Sequence, residues 1–387
     1  MKYLRISALI TVLALVLILS TSVFAGWTTF IVDDGGEDDV GQSTSQEIVN
    51  LQPAVSYIDE TNDNLKYVRA NNAANKDWGS PVTVDTTNVR GESDLFLVDG
   101  NPAIAYFDTN QDHLKFVRAK DANGTNWNTP VPVDDSGIAG WNLGAGIVDG
   151  NPAICYLDKD NFYLIYVRAT NAQGTSWGSP QIVDNSADTG YECSIAIVDG
   201  NPAIGYWEYD GDDVMFVRAL DSIGTTWGTP QIVDAADGSG YQSELRIVNG
   251  NPALAYYDFT NDRLKFVRAT NSQGSSWGTP KILDSSGKDV GLFPSLAIVD
   301  GVPAVSYAVN NSGNPQLSYV NAVDSSGIVW NDPELVGVDH TGWWNSLVDF
   351  QQQAAISYYD SPNSALKFAL FDPTVDNTIY LPVVLNK

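Results

Sequence analysis

One phrase returns along the chain, reading "NPAIAY" or a close variant, and its tyrosine falls at Tyr57, Tyr106, Tyr156, Tyr206, Tyr256, Tyr307 and Tyr358. The spacings are 49, 50, 50, 50, 51 and 51 residues, so seven units fill the chain after its first 25 residues. A period near fifty marks a repeated supersecondary unit that buries its apolar face only by stacking on its neighbours. The fourth unit shows the plan: "CSIAIVDG", "NPAIGYWE", "VMFVRA" and "WGTPQIVD", separated by the turns "YDGDD" and "LDSIGTT". Pro202 opens the second run, where a missing N–H costs a strand least. Short β-rich runs with turn signals every 8–12 residues define an all-β fold, and no helical period competes with them. Four strands at this period form a propeller blade. The expected architecture is a seven-bladed β-propeller with four antiparallel strands per blade.

The strands do not divide evenly. Strands one to three occur seven times, but the tryptophan-marked fourth strand occurs internally at Trp78, Trp127, Trp177, Trp227, Trp277 and Trp330 only. The missing copy is at the other end of the chain, in "GWTTFIVDD" from Gly26 to Asp34. The N-terminal strand should therefore complete the last blade and close the ring, removing two open strand edges. A buried tryptophan covers ~150–250 Å². At ~25 cal/mol per Å² its burial contributes at most roughly 4–6 kcal/mol to that closure.

Residues 1–25 read as a signal peptide: Lys2 and Arg5, an apolar run from Ile6 to Leu19, and small residues at Val23 and Ala25. An uncleaved anchor is the other reading of that run. Residues 26–372 form the propeller and 373–387 a tail. The tail, "NTIYLPVVLNK", is too short to span a membrane. It resembles the C-terminal endings of some secreted bacterial proteins, so a sorting or attachment signal is expected there, or else an added strand. The chain carries 20 basic and 47 acidic residues, and losing Lys2 and Arg5 takes the net charge from −27 to −29. Such a surface repels nucleic acid and anionic lipid. A secreted or cell-surface monomer is expected, with an extracellular glycan or protein as partner and no membrane span after cleavage. The two cysteines, Cys155 and Cys193, are free to pair in an oxidising compartment, but the repeat does not depend on them.

The turn between the third and fourth strands repeats as "DANGTNW", "NAQGTSW", "DSIGTTW", "NSQGSSW" and "DSSGIVW", with a degraded copy, "NAANKDW". This resembles the Asp-box, or BNR repeat, of sialidases and other extracellular propellers, with one extra residue between the Asp and the Gly. The resemblance implies a structural hairpin on the face opposite any active site. The residues say the same: the Asp or Asn accepts N–H bonds within the turn, Gly supplies positive φ, and a site needed once would not be copied six times. Arg69, Arg118, Arg168, Arg218 and Arg268 are likewise scaffold, expected to pair with the acids ending the second strand, such as Asp59 and Asp108.

Function is sought where the repeats differ. Trp141, Tyr191, Tyr241 and Trp343 hold matched places in the blade-to-blade loops, where the other blades have Gln42, Gly91 and Leu292. A partial aromatic ring at a channel mouth suits stacking on sugars, or it plugs gaps between blades. On the innermost strands Ile195 and Ile197 belong to an apolar alternate set. The mixed set expected to face the channel includes Glu47, Glu92, Asp94, Glu192, Gln242, Glu244 and Arg246. Carboxylates gathered there suit cation binding or an acid/base pair for glycoside cleavage, against the plainer reading of a solvated acidic channel. Glu192, Glu244 and Arg246 are the catalytic candidates, and Glu92, Asp94 and Gln242 join the aromatics as ligand-binding candidates. Asp210, Asp212 and Asp213 offer oxygen ligands for Ca2+ without EF-hand spacing. A sialidase assignment implied by the resemblance is not adopted, because the non-repeated arginines of the mature chain are only Arg90, Arg246 and Arg263 and the family's Arg-x-Pro motif is missing. His113 and His340 show no triad or zinc pattern. The reading is a carbohydrate- or ligand-binding propeller rather than an enzyme, with a glycoside hydrolase or lyase, or a scaffold without a small-molecule site, as alternatives.

Overall fold

A computed structural model describes residues 26–372, apart from positions 187, 236, 237, 288, 311, 312 and 338–340. Seven antiparallel sheets follow one another around a channel, as the period requires. Blade 4 is typical: Thr189–Val198 lies innermost, Asn201–Glu208 second, Asp213–Arg218 third and Gln231–Asp234 outermost. The outer strand is shorter than the sequence suggests. Trp227 forms only an isolated bridge to Ala219, and the strand resumes after Pro230, which has no N–H to give the ladder. Trp27–Asp33 has no proline and runs continuously along Ala365–Phe371, with Trp27 opposite Phe371. The N-terminal strand therefore completes blade 7.

The tryptophans do more than edge a blade. Each packs edge-on against a third-strand aromatic of the preceding blade, with centroids 5.0–5.3 Å apart in seven pairs that run once around the ring. Trp27, fully buried against Tyr319, is one of the seven. The anchor tyrosines form a second inter-blade belt. Tyr57, Tyr206, Tyr256 and Tyr307 donate to Asp33, Asp184, Asp234 and Asp284 at 2.6, 2.5, 2.6 and 2.6 Å, and Tyr106 and Tyr156 likewise to Asp85 and Asp134. Each acceptor ends the outer strand of the preceding blade. Burial, then the neighbouring carboxylate, pushes these phenols well above their ordinary range. Blade 7 departs from the belt, because the outer strand before it ends in Gly337 rather than an acid.

The repeated arginines do not pair with the second-strand acids. Antiparallel register puts Arg69 opposite Ala54, five residues from Asp59. Its Nε and Nη2 instead donate to the carbonyls of Val49 and Asn50 at 2.8 and 2.7 Å, closing the first hairpin. Arg118, Arg168, Arg218 and Arg268 do the same. Where the third strand carries a lysine the acids pair with it: Asp59 with Lys66 at 3.2 Å, Asp108 with Lys115, Asp258 with Lys265 at 2.7 Å and Asp360 with Lys367 at 2.6 Å. In the third-to-fourth turns Asp121 accepts the N–H groups of Asn123, Thr125 and Asn126 at 3.0, 3.1 and 2.9 Å. Gly124, at φ +74, allows no side chain, since a Cβ would lie 2.4 Å from the Tyr67 ring. Cys155 of blade 3 and Cys193 of blade 4 form a disulfide across the blade boundary. The leader, residues 1–25, and the tail, 373–387, lie outside the described residues.

Candidate functional site

Each innermost strand enters the channel through a bulge. Its register against the second strand slips in every described blade. In six blades a glycine at positive φ is followed, two residues on, by a non-glycine residue in the left-handed region: Ser43, Asn142, Glu192, Gln242, Phe293 and Trp344, with φ between 47° and 53°. Blade 2 places Gly91 at φ 96°, with Glu92 next. Bulges re-aim side chains beside functional sites, and left-handed backbone under Glu, Phe or Trp is costly enough to need a reason. Here the bulges set seven different residues around one mouth. Polar groups from blades 2 to 5 form one wall, and Phe293 and Trp344 of blades 6 and 7 form the other. Behind the mouth is a cavity of about 740 Å³, lined by six of these residues and by Glu47, Asp94, Glu244 and Arg246.

Neighbouring blades are laced together at this rim. Gln242 Oε1 accepts the Phe293 N–H at 2.6 Å, Asn345 Nδ2 donates to the Phe293 carbonyl at 2.9 Å, and Thr44 Oγ1 donates to the Trp344 carbonyl. The chemically distinctive element spans blades 2, 3 and 4. Asn142 Nδ2 donates to Glu92 Oε1 at 2.9 Å and to Glu192 Oε1 at 3.1 Å, so one amide nitrogen bridges two carboxyl groups. Burial raises both acids, Glu92 to about 7 and Glu192 well above the carboxylate range, and their mutual repulsion adds to Glu192. Ionising one of the two makes ionising the other harder. Tyr241 lies within their field: its phenol is raised by burial and then by the charges of Glu192 and Glu92.

One layer deeper the acids serve the scaffold. Asp94 accepts the Ala145 N–H at 2.7 Å and Glu244 accepts that of Leu296, in places where Ser45, Ser194, Ser295 and Ser346 accept the equivalent N–H of the next blade. Glu244 is also ion-paired with Arg246. Burial raises Glu47, Asp94 and Glu244, and Arg246 partly offsets it. Glu244 and Arg246 are thus engaged with each other, whereas Glu192 is joined to Glu92 through Asn142. All seven mixed-set residues line the cavity. The apolar alternates are less uniform, since Ile197 is 41% exposed.

The matched aromatics stand one residue before the rim, outside the cavity lining. Trp141 stacks edge-on with Phe107 at 5.7 Å under the Lys159 ammonium, 3.0 Å from its ring centroid. Trp343 packs on Phe293 at 5.4 Å. Tyr191 and Tyr241 both pack on Trp207, at 5.5 and 5.2 Å, and Tyr209 and Phe259 extend this cluster into solvent. Sequence reasoning missed Asn142, Phe293 and Trp344; the signal was the position directly after the matched aromatics, where no two adjoining blades agree. Asp210, Asp212 and Asp213 occupy the hairpin after Glu208, whose carboxylate accepts the N–H groups of Asp210 and Gly211 at 3.0 and 2.8 Å. Among the described residues no group of three or more His, Cys, Asp or Glu is gathered as a metal site. His113 opens a third strand in blade 2, and His340 lies outside the described residues.

No protein-family model matches the chain, and no curated protein matches it in sequence. Solved structures do. An ulvan lyase representing a family of polysaccharide lyases aligns with a TM-score of 0.60 at 12% identity, over 87% of this chain and 96% of the lyase. A puromycin-hydrolysing peptidase of Mycobacterium tuberculosis aligns at 0.50 and 10% identity, over 89% of this chain and 54% of the peptidase. A variant of the NanB sialidase of Streptococcus pneumoniae aligns at 0.46 and 11%, over 89% and 70%. At these identities the likeness is one of fold: the chain is a seven-bladed β-propeller, an architecture it shares with a polysaccharide lyase.

Proposed function

We propose that the protein binds a carbohydrate in the mouth of its channel, outside the cell. The observation that carries this reading is the asymmetric rim, with Phe293 and Trp344 on one wall and Glu92, Asn142, Glu192 and Gln242 on the other. Sugars present an apolar ring face and a hydroxyl edge, and a site with a few placed polar groups beside aromatics suits them. The fold shared with a polysaccharide lyase is compatible with this reading. A glycan array probed with the mature chain tests it. Selective binding that Trp344→Ala abolishes in a folded protein supports the reading, and silence across the array sinks it.

Cleavage of the bound saccharide is the second reading, favoured by the Glu92–Glu192 pair. Paired carboxyls at different protonation states are what glycoside hydrolysis uses as acid and base. Release of reducing ends from an array-positive glycan, lost in Glu192→Gln with binding retained, would establish it.

A further inference from the structure

Resting on the carbohydrate reading, we infer that the saccharide this channel accepts carries a free amino group, its ammonium ion seated between Glu92 and Glu192 while the sugar ring lies along Phe293 and Trp344. Charge at the channel favours a cationic ligand. Five carboxyl groups named above line the cavity, Glu47, Glu92, Asp94, Glu192 and Glu244, and Asp349 is a sixth; Arg246 is the one cationic side chain among the lining residues. Arg246 is already engaged, ion-paired with Glu244 and donating to the Leu245 carbonyl at 3.1 Å. A uronate, sialate or sulfated sugar would meet repulsion and no uncommitted cation.

Unmet hydrogen-bonding capacity at the rim favours a ligand rich in donors. Asn142 offers one nitrogen to two carboxyl groups, and Glu92 also accepts the backbone N–H groups of Asn142 and Leu143, so the open acceptor positions lie mainly on Glu192, and an ammonium brings three donors. Ser243 Oγ and Gln46 Oε1, on the cavity wall in residues 7% and 6% exposed, have no hydrogen-bond partner. Buried polar atoms without partners are uncommon in native proteins and call for a reason. A polar ligand reaching past the rim would supply it.

An ammonium between the two acids also changes their proton balance. Without a cation between them, protonation of one carboxyl group relieves the repulsion between the two. An entering ammonium takes over that role, so the proton leaves to solvent and both acids remain ionised. No bond is made or broken. Binding should therefore release up to one proton and weaken as salt screens the attraction.

The test is titration calorimetry of the mature protein with three oligosaccharides of equal length: a glucosamine oligomer, its fully N-acetylated form and a uronate oligomer. The expected result is binding of the glucosamine oligomer, weakened about tenfold or more by N-acetylation, with no uptake of the uronate. Its heat should differ between buffers of high and low ionisation enthalpy, and the difference should vanish in Glu92→Gln. Equal or tighter binding of the N-acetylated or uronate oligomer would overturn the amino-group inference and leave the carbohydrate reading intact. Binding of spermidine as tight as that of the glucosamine oligomer would keep the ammonium seat and sink the carbohydrate reading. No binding by any oligosaccharide would overturn both. The comparison among oligosaccharides uses the intact protein alone, so it stands even where Glu92→Gln folds poorly.

Discussion

The two ends of the propeller use the same sevenfold repeat in opposite ways. At the turn end, successive blades repeat themselves: an arginine closes the first hairpin, an Asp or Asn gathers the turn amides, and a tryptophan reaches the blade before it. At the mouth, equivalent positions hold Ser43, Glu92, Asn142, Glu192, Gln242, Phe293 and Trp344. Repetition satisfies a requirement that each blade has separately, namely backbone amides and apolar area that must be covered. Variation at equivalent places assembles something the molecule needs once. The same contrast holds within the channel: Asp94 and Glu244 stand where most other blades carry serine and accept the same N–H, and Glu92 also accepts backbone N–H groups of the next blade, from Asn142 and Leu143, so Glu192 is the acid here whose contact is to a side chain, that of Asn142.

The comparison breaks most visibly at ring closure. Trp27→Ala should cost about 3–5 kcal/mol, and removing 27–33 should lower the whole domain's melting in one calorimetric transition. A truncated protein that melts like the intact one would show that blade 7 does not need its fourth strand. The tyrosine belt gives the next largest effect. Tyr206→Phe leaves the Asp184 carboxylate short of its buried donor and should cost about 2 kcal/mol. Tyr358→Phe, in the blade whose neighbour ends in Gly337, should cost clearly less. Equal losses in chemical denaturation would mean that the belt is incidental to inter-blade stability.

Titration of the carboxyl pair separates the mouth from the scaffold. Glu92 is raised by burial from 4.5 to about 7, so between these values the folded state binds more protons than the unfolded one. Its contribution is fully present below pH 4.5, falls as pH rises through about 7, and is flat above. The pair should therefore reduce stability by on the order of 1–2 kcal/mol from pH 5 to pH 8, allowing for screening by channel water. Glu192→Gln should flatten that slope and raise the melting temperature at pH 8. An unchanged slope would mean that the pair is not coupled as the bridge through Asn142 implies.

The ring was legible because its period is long and each unit carries its own tyrosine, tryptophan and turn. Even the odd placement of Trp27 followed from counting. The rim was legible only in part. Strict alternation correctly sent Glu47, Asp94, Glu244 and Arg246 into the channel, but a bulge with left-handed backbone breaks alternation where each innermost strand begins. Matched aromatics stand out in the repeat at Trp141, Tyr191, Tyr241 and Trp343, one residue before the positions where Phe293 and Trp344 enter the cavity lining. The arginines were mispaired for a related reason. Pairing them with Asp59 and its equivalents ignored register, which puts the two groups at opposite ends of the hairpin. Tertiary register and bulges depend on which strand lies opposite, and no single blade's sequence states that.

The smallest expected effect tests the turn end directly. Asp121 is half-buried and accepts three backbone N–H groups and the Thr125 hydroxyl at 2.9 Å. Its replacement by Ala should cost about 1 kcal/mol, as for loss of a helix cap, because water can reach most of the freed amides. The same variant should leave saccharide binding at the mouth unchanged, since its contacts serve the hairpin of blade 2 and the mouth lies at the other end of every strand. If Asp121→Ala instead altered binding as strongly as Trp344→Ala, the division between a repeated scaffold end and a varied functional end would fail, and the turns would have to be read as part of the site.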